Sequence, residues 1–371
     1  MKVLIVSPYI STSKSLKFYQ SQQLNLSKEL VRLGLNVSIV TSKRYENEED
    51  NIKIDGVDVD FLDVYKFFPE KRFNQPVMKR LWEYLKNSDC DIFQTSEFHS
   101  ISTLVVAFFC FFYKKKMIVY QGIYKNSSNT VTKIFTRFWD FYFSFIISKV
   151  CCVSICKTNA AAEYLKERGI KKTVVIPVGV NTQIFNSINT KRKLNKTLQL
   201  LMVGNLIPLK NHLITLKALH LIKKEGINFN LTIIGRGYLY SQIESEIKSL
   251  NIHNNVVLID KVPNTEMKNY YVNSDFTLMF SSTEIFGMTM LEAMACGSPF
   301  LTNFMPGAID CIVDGKNGYK LKYDDFKDLF KELEKVFKAP TLDRVKIEKT
   351  TIKNFSWQNI AKIYSQLYTE L

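Results

Sequence analysis

Asp275-Phe276-Thr277-Leu278-Met279-Phe280, then Ser281-Ser282-Thr283-Glu284-Ile285-Phe286-Gly287-Met288-Thr289, then Met290-Leu291-Glu292-Ala293-Met294-Ala295-Cys296-Gly297: this run reads as strand, loop and helix in succession. Asp275 to Phe280 has strand length. Met290 to Cys296 consists of strong helix formers, and Gly297 with Pro299 stops it. Phe300 to Thr302 follows as the next strand. A loop entering a helix presents free backbone N–H groups and a partial positive charge, which suits a phosphate. Glu284 falls on the loop and Glu292 on the first turns of the helix, so both carboxylates can face one cleft. Carboxylates only accept hydrogen bonds and therefore suit sugar hydroxyls, which donate them. The constellation fits a ligand with a diphosphate in the middle and a sugar at each end.

The same alternation continues upstream. Leu198 to Gly204 reads as a strand, Asn211 to Lys224 as a helix, Asn230 to Gly235 as a strand, Ser241 to Leu250 as a helix, Val256 to Ile259 as a strand and Glu266 to Asn273 as a helix. The polar stretch Asn186 to Thr197 precedes this cycle and reads as a linker. The first half repeats the order. Val3 to Ser7 is a strand, Leu16 to Leu33 a helix capped by Gly34, Asn36 to Thr41 a strand, and Ile54 to Val64 extended. Asp91 to Thr95, Lys116 to Gln121, Cys151 to Ser154 and Val174 to Pro177 complete it. Strands alternating with helices predict parallel sheets covered on both faces, and ligands of such sheets bind beyond the carboxyl ends of the strands. Glu284, following Asp275 to Phe280, is in that position.

At 371 residues, with 46% hydrophobic and 23% charged residues, the chain suits two folded domains. Met1-Lys2 leads straight into Val3-Leu4-Ile5-Val6, so no signal peptide is expected. Seven cysteines lack zinc spacing and read as reduced thiols, in keeping with a cytoplasmic location. The net charge is +15, and residues 1–180 carry 26 Lys and Arg against 17 Asp and Glu. No basic helix, zinc finger or aromatic RNA-binding signature accompanies it, so nucleic acid is not an expected partner. An anionic membrane surface or a lipid-diphosphate substrate fits the same field.

Glu284 and Glu292, with Phe286-Gly287 between them and Leu291-Glu292-Ala293-Met294-Ala295-Cys296-Gly297 after, resemble the E-x7-E motif of family 4 glycosyltransferases. These are retaining enzymes that use nucleotide sugars. The resemblance covers almost the whole chain and is strongest from Leu198 to Leu321. It implies an α/β chain of GT-B fold, with two Rossmann-like domains and a cleft between them. Residues 1–185 would bind the acceptor, residues 186–354 the nucleotide sugar, and a last helix, 355–371, would pack back on the first domain and brace the hinge. Trp357, Ile360, Ile363, Tyr364 and Leu367 give that helix an apolar face.

The resemblance also implies roles. Leu201-Met202-Val203-Gly204-Asn205-Leu206-Ile207-Pro208-Leu209-Lys210 matches the strand, glycine and basic pair that clamp the donor diphosphate, with Lys210 in place and Asn205 where an Arg is usual. Arg236, in Ile234-Gly235-Arg236-Gly237, either supplies the missing charge or is exposed. Lys261 and Val262 fall where backbone atoms frame the base. Glu284 would orient the donor sugar, Glu292 would hold the ribose, and the backbone of Phe286, Gly287, Met288 and Thr289 would join Lys210 on the leaving diphosphate. The loop after the first strand, Ser7 to Ser15, lacks the usual glycines, leaving Ser11, Thr12 and Lys14 as acceptor candidates. Gln121 stands where a His is frequent and is the third catalytic candidate. It cannot act as a base. His99 is a further acceptor candidate. Neither metal nor cofactor is expected. The expected partners are a UDP- or GDP-linked sugar and a glycan or lipid-linked acceptor, in polysaccharide or glycoconjugate synthesis.

Leu104 to Tyr113, followed by three lysines, and Phe135 to Ile147 are aromatic runs too short to span a bilayer. They read as buried helices of the first domain, or as a patch that docks the protein peripherally on the cytoplasmic face of the membrane. Two other function classes stay open: a nucleotide-sugar epimerase and a non-catalytic partner of a glycosyltransferase.

Overall fold

Val3, Leu4, Ile5 and Val6 are wholly buried, as a continuous apolar run must be when both faces of its sheet are covered. They form β1 (Lys2–Val6), near the middle of the first of two sheets. The computed structural model describes residues 1–8, 21–43, 50–65, 76–124, 130–188 and 197–371, with residues 130–139 described as backbone. Its contacts divide the chain into two units: Met1–Gly179 with Trp357–Leu371, and Val180–Ser356.

In the first unit β1 is followed by β2 (Asn36–Ser42), β3 (Asn51–Ile54), β4 (Val57–Leu62), β5 (Ile92–Ser96), β6 (Lys116–Gln121), β7 (Cys151–Cys156) and β8 (Thr173–Val175). Their order across the sheet is β3-β4-β2-β1-β5-β6-β7-β8. Val3 lies opposite Val37 on one side and Ile92 on the other. All neighbours run parallel except β3 and β4. The stretch read as extended from Ile54 to Val64 thus opens on the turn of a hairpin and continues as its second strand. Asp55 and Gly56 take positive φ, +48° and +85°, the turn that an Asp-Gly pair favours. The helix expected from Leu16 is described over Gln22–Arg32, with Ser21 accepting from the Leu24 N–H at 3.2 Å.

The last helix, Trp357–Glu370, belongs to the first unit. Its buried stripe is Trp357, Ile360, Ala361, Tyr364 and Tyr368, and the Tyr368 hydroxyl donates to Gln94 Oε1 at 2.7 Å. Ile363 is 47% exposed and Leu367 is half-buried, so the apolar face drawn from the sequence is turned. Small Ala361 and amphipathic Tyr368 carry the packing instead. The chain leaves the first unit after Gly179, earlier than the polar stretch suggested. The reason is that residues 180–188 are bonded into the second unit. The Val180 N–H donates to Phe355 O at 2.7 Å, and the Ser187 N–H to Glu348 Oε1 at 2.8 Å.

The second unit holds β9 (Leu198–Val203), β10 (Phe229–Ile234), β11 (Val256–Ile259), β12 (Phe276–Met279), β13 (Phe300–Thr302) and β14 (Gly318–Lys320). They are ordered β11-β10-β9-β12-β13-β14, all parallel. The chain steps outward from β9 to β11 and then returns to the other side of β9 with β12. The reversal of direction therefore falls between β9 and β12, where open α/β sheets leave a crevice beyond the strand ends. Leu200, Met202, Leu231, Ile233, Leu278 and Leu301 make the sheet's part of the core.

Candidate functional site

Four loops leave the carboxyl ends of β9, β10, β12 and β13 of the second unit, and they are bonded to one another. β12 ends at Met279. The loop that follows reaches the helix Met288–Ala295 through Gly287, whose φ is +80°. A side chain at Gly287 would also come within 2.6 Å of Met279 Cε and 2.9 Å of Met305 Cε. The methionine ends could shift, so it is the backbone conformation that favours glycine here. Asn303, just beyond β13, clamps the start of the loop: it accepts from the Ser281 N–H at 3.1 Å and donates to Ser281 O at 2.8 Å. Farther along, the Gly307 N–H donates to Ile285 O at 3.1 Å.

The loop after β9 meets this one. Gly204, Asn205, Leu206 and Ile207 lead into a short 3-10 turn, Pro208–Lys210. The Ser282 N–H donates to Leu209 O at 2.9 Å, and Asn211, at φ +51°, donates to Ser282 Oγ at 3.0 Å. This stitching brings the Lys210 ammonium onto Glu284 Oε2, a pair whose side chains are largely shielded from water. The neighbouring His212 is buried, and burial first, then the Lys210 charge, push its pKa down to about 4. It is neutral near pH 7, leaving Lys210 as the cation of this loop.

Glu292 projects from the second turn of the helix Met288–Ala295 and is partly buried. The Tyr271 hydroxyl, from the helix Asn264–Asn273, donates to Glu292 Oε2 at 2.8 Å. Burial pushes the Glu292 carboxyl up to about 7, against the Tyr271 hydrogen bond, which lowers it. Phe286 is buried and anchors the loop, while Met288 and Thr289 are partly exposed at the helix start. The first N–H groups of an α-helix have no partner within it. The second unit thus gathers Lys210, Glu284, Glu292 and a helix N-terminus at the crevice where strand order reverses.

The remaining residues named from the sequence are placed less centrally. Asn205 is exposed. Arg236 is also exposed, and its guanidinium forms a two-pronged pair with Asp260 at the ends of β10 and β11. Lys261 is exposed and Val262 half-buried on the loop after β11. Ser11, Thr12 and Lys14 lie outside the described residues.

In the first unit Gln121 ends β6 fully buried. Its Oε1 accepts from the Phe98 N–H at 3.0 Å, and its Nε2 donates to Ile123 O at 2.9 Å. Next to it Glu97, at φ +64°, accepts from the N–H groups of Gly122 and Ile123 at 3.1 and 3.2 Å. A non-glycine residue in that conformation costs about 1–3 kcal/mol and persists only where its surroundings impose it. His99 is half-buried nearby. Sequence reasoning passed over Glu97, Tyr271 and Asn303. Only the position of Glu97, directly after a strand beside His99, carried a signal. Among the described residues no group of three His, Cys, Asp or Glu is placed to hold a metal ion.

Comparison with known proteins agrees with this geometry. Residues 184–354 match the family model of glycosyl transferases group 1, and residues 21–184 match that of glycosyltransferase family 4. The chain belongs to the family 4 glycosyltransferases. Among curated relatives of this glycosyltransferase is an uncharacterized glycosyltransferase of Methanocaldococcus jannaschii, 29% identical over 60% of this chain and 60% of that protein. The capsular polysaccharide biosynthesis glycosyltransferase CapM of Staphylococcus aureus is 26% identical over 52% of this chain and 54% of that protein. The chain spans little more than half the length of these relatives. Sucrose-phosphate synthase from Thermosynechococcus elongatus superposes with a TM-score of 0.77 at 16% identity, over 100% of this chain and 98% of that one. HepE of Anabaena, solved with UDP and glucose, superposes with a TM-score of 0.73 at 12% identity, over 100% of both chains. These likenesses give the fold, which is GT-B.

Proposed function

We propose that the protein is a retaining hexosyltransferase that takes its sugar from a UDP- or GDP-linked donor. The acceptor is the hydroxyl of a glycan or lipid-linked saccharide, as in polysaccharide synthesis. The observation that carries this reading is the junction of Lys210 and Glu284 beside the start of the helix Met288–Ala295. One such junction offers a cation and helix N–H groups to a diphosphate and a carboxylate to a sugar. Glu292 takes the ribose hydroxyls. The loop after β11, with Lys261 and Val262, lies along the base. Arg236 is engaged by Asp260, so the diphosphate relies on Lys210, with Asn205 adding a neutral donor. The second unit is the donor-binding domain on this reading, and the first takes the acceptor.

In the reaction the bond from the sugar's anomeric carbon to the diphosphate oxygen breaks, and the bond to the acceptor oxygen forms on the same face. The acceptor proton passes to the departing phosphate oxygen, so no protein base is required and the nucleoside diphosphate leaves. The protein contributes position and charge. Lys210 exchanges Glu284 for the leaving diphosphate, which frees Glu284 for the sugar hydroxyls. Gln121, spent on backbone atoms, acts by holding the ends of β5 and β6. The reaction runs without a metal ion.

The test is incubation with a panel of UDP- and GDP-sugars and saccharide acceptors, with the product's anomeric configuration read by NMR. Transfer with retention, undiminished by chelator, supports the reading. An inverted product, or an epimerised free donor, overturns it.

A further inference from the structure

The helix Ile101–Tyr113 of the first unit, and the described side chains 140–150 of the helix Thr130–Val150, are buried on one side and exposed on the other. Val106, Ala107, Phe109 and Cys110 enter the core, as do Phe143 and Ile147. Facing water are Phe111, 63% exposed, Phe112, 67%, Phe141, 68%, and Phe145, 58%. Trp82, from the helix Leu81–Asn87, extends the surface, with its ring 6.4 Å from that of Phe112. Folding alone does not account for several large aromatic rings left on neighbouring helices, and such patches mark interaction sites.

Charge identifies the partner. From Ile101 to Val150 the sequence holds seven Lys and Arg and one acidic residue, Asp140. Asp140 is buried and accepts from Arg168 Nε at 3.1 Å, so it does not oppose the field. Lys114 and Lys116 are exposed directly after Tyr113. The Lys149 ammonium lies 5.8 Å over the Phe145 ring. Asp91 lies beside Lys114 and Lys116 and accepts from the Lys2 N–H. Exposed aromatic rings bordered by exposed lysines are the composition of a surface that enters the headgroup layer of an anionic bilayer. A second copy of the chain would bring the same positive charge against these lysines, because a two-fold contact pairs a patch with itself. Among the described residues no helix is long and apolar enough to cross a membrane.

We propose that this face docks the protein on an anionic lipid surface, with the aromatic rings inserted at headgroup depth and the lysines on lipid phosphates. The docking is independent of the donor site, so it is read without donor or acceptor. The full chain is sedimented with vesicles of phosphatidylcholine alone and with one-third phosphatidylglycerol. Strong partition into the anionic vesicles, weakened by salt, is expected. F111S/F112S/F145S should lower it at least tenfold. K114E/K116E/K149E, which alters only solvent-facing charge, should lower it by about a hundredfold or more, since each lysine near such a surface is worth roughly fivefold. The proposal is overturned if the native chain stays in the supernatant, if the lysine variant partitions like the native chain, or if the aromatic variant instead dissolves a dimer seen by sedimentation velocity.

Discussion

On the proposed reading, Lys210 and Asn205 divide the diphosphate contact unequally. Lys210 brings a charge that Glu284 already holds in place, whereas exposed Asn205 brings only a dipole. A charged hydrogen bond to an oxyanion is about twice as strong as a neutral one. Lys210→Ala should therefore lower kcat/KM by about a hundredfold and Asn205→Ala by about tenfold or less, in steady-state assays of nucleoside diphosphate release. Glu292 gives a signed pH dependence. Its carboxyl titrates at about 7 in the folded chain, above the ordinary value near 4.3. Between those values the folded state binds more protons than the unfolded state, so stability falls as pH rises through the window. Glu292→Gln removes this dependence. It should match the native chain at pH 5 and exceed it at pH 8 by about 1–3 kcal/mol, measured by urea denaturation. Donor affinity of the native chain should move the other way, rising from pH 6 to pH 8, because ribose hydroxyls need the carboxylate as acceptor. Lys210 and Glu284 stand on strand-end loops and Glu292 on the helix that follows, as expected, because local spacing sets position along one strand, loop and helix. Tyr271 and Asn303 were not expected, because packing of separate elements brings them to Glu292 and Ser281. Glu97 was hidden because its contacts are with the backbone N–H groups of Gly122 and Ile123, just beyond β6.

At the scale of elements, two glycines carry close packing. A side chain at Gly235 would meet Gly204 O at 1.8 Å, and one at Gly179 would meet the Trp357 ring at 2.4 Å. Neither neighbour can yield without moving backbone or a buried ring, so overpacking of this kind costs about 1–3 kcal/mol. Gly179→Ala should lower the melting temperature by several degrees, and Gly34→Ala, where no atom lies within 4 Å, should cost less despite its φ of +88°. Differential scanning calorimetry separates the two. The strand and helix succession was readable because Rossmann-like units repeat short apolar runs and periodic helices. The hairpin of β3 and β4 was overlooked although Asp55-Gly56 announces it, since β3 is only four residues long, alternates polar and apolar, and directly follows the acidic stretch. The helix Ile101–Tyr113 carries no charged residue, so its sequence gives little signal for which side faces water.

At the scale of the molecule, the two sheets and the family match give the fold and the family, and the proposal built on them is that the second unit binds a nucleotide sugar through Lys210, Glu284 and Glu292. The contacts divide the chain after Gly179, before the polar stretch that composition marks, because composition does not show the hydrogen bonds that draw residues 180–188 into the second unit. Isothermal titration of the full chain with UDP- and GDP-sugars tests the central claim most directly. The account predicts that at least one donor binds, and that Glu292→Ala loses roughly 1.5–3 kcal/mol of that affinity, the worth of a hydrogen bond to a charged group, with the melting temperature preserved. A donor that binds equally well to the native chain and to Glu292→Ala would contradict it, as would a chain that binds none.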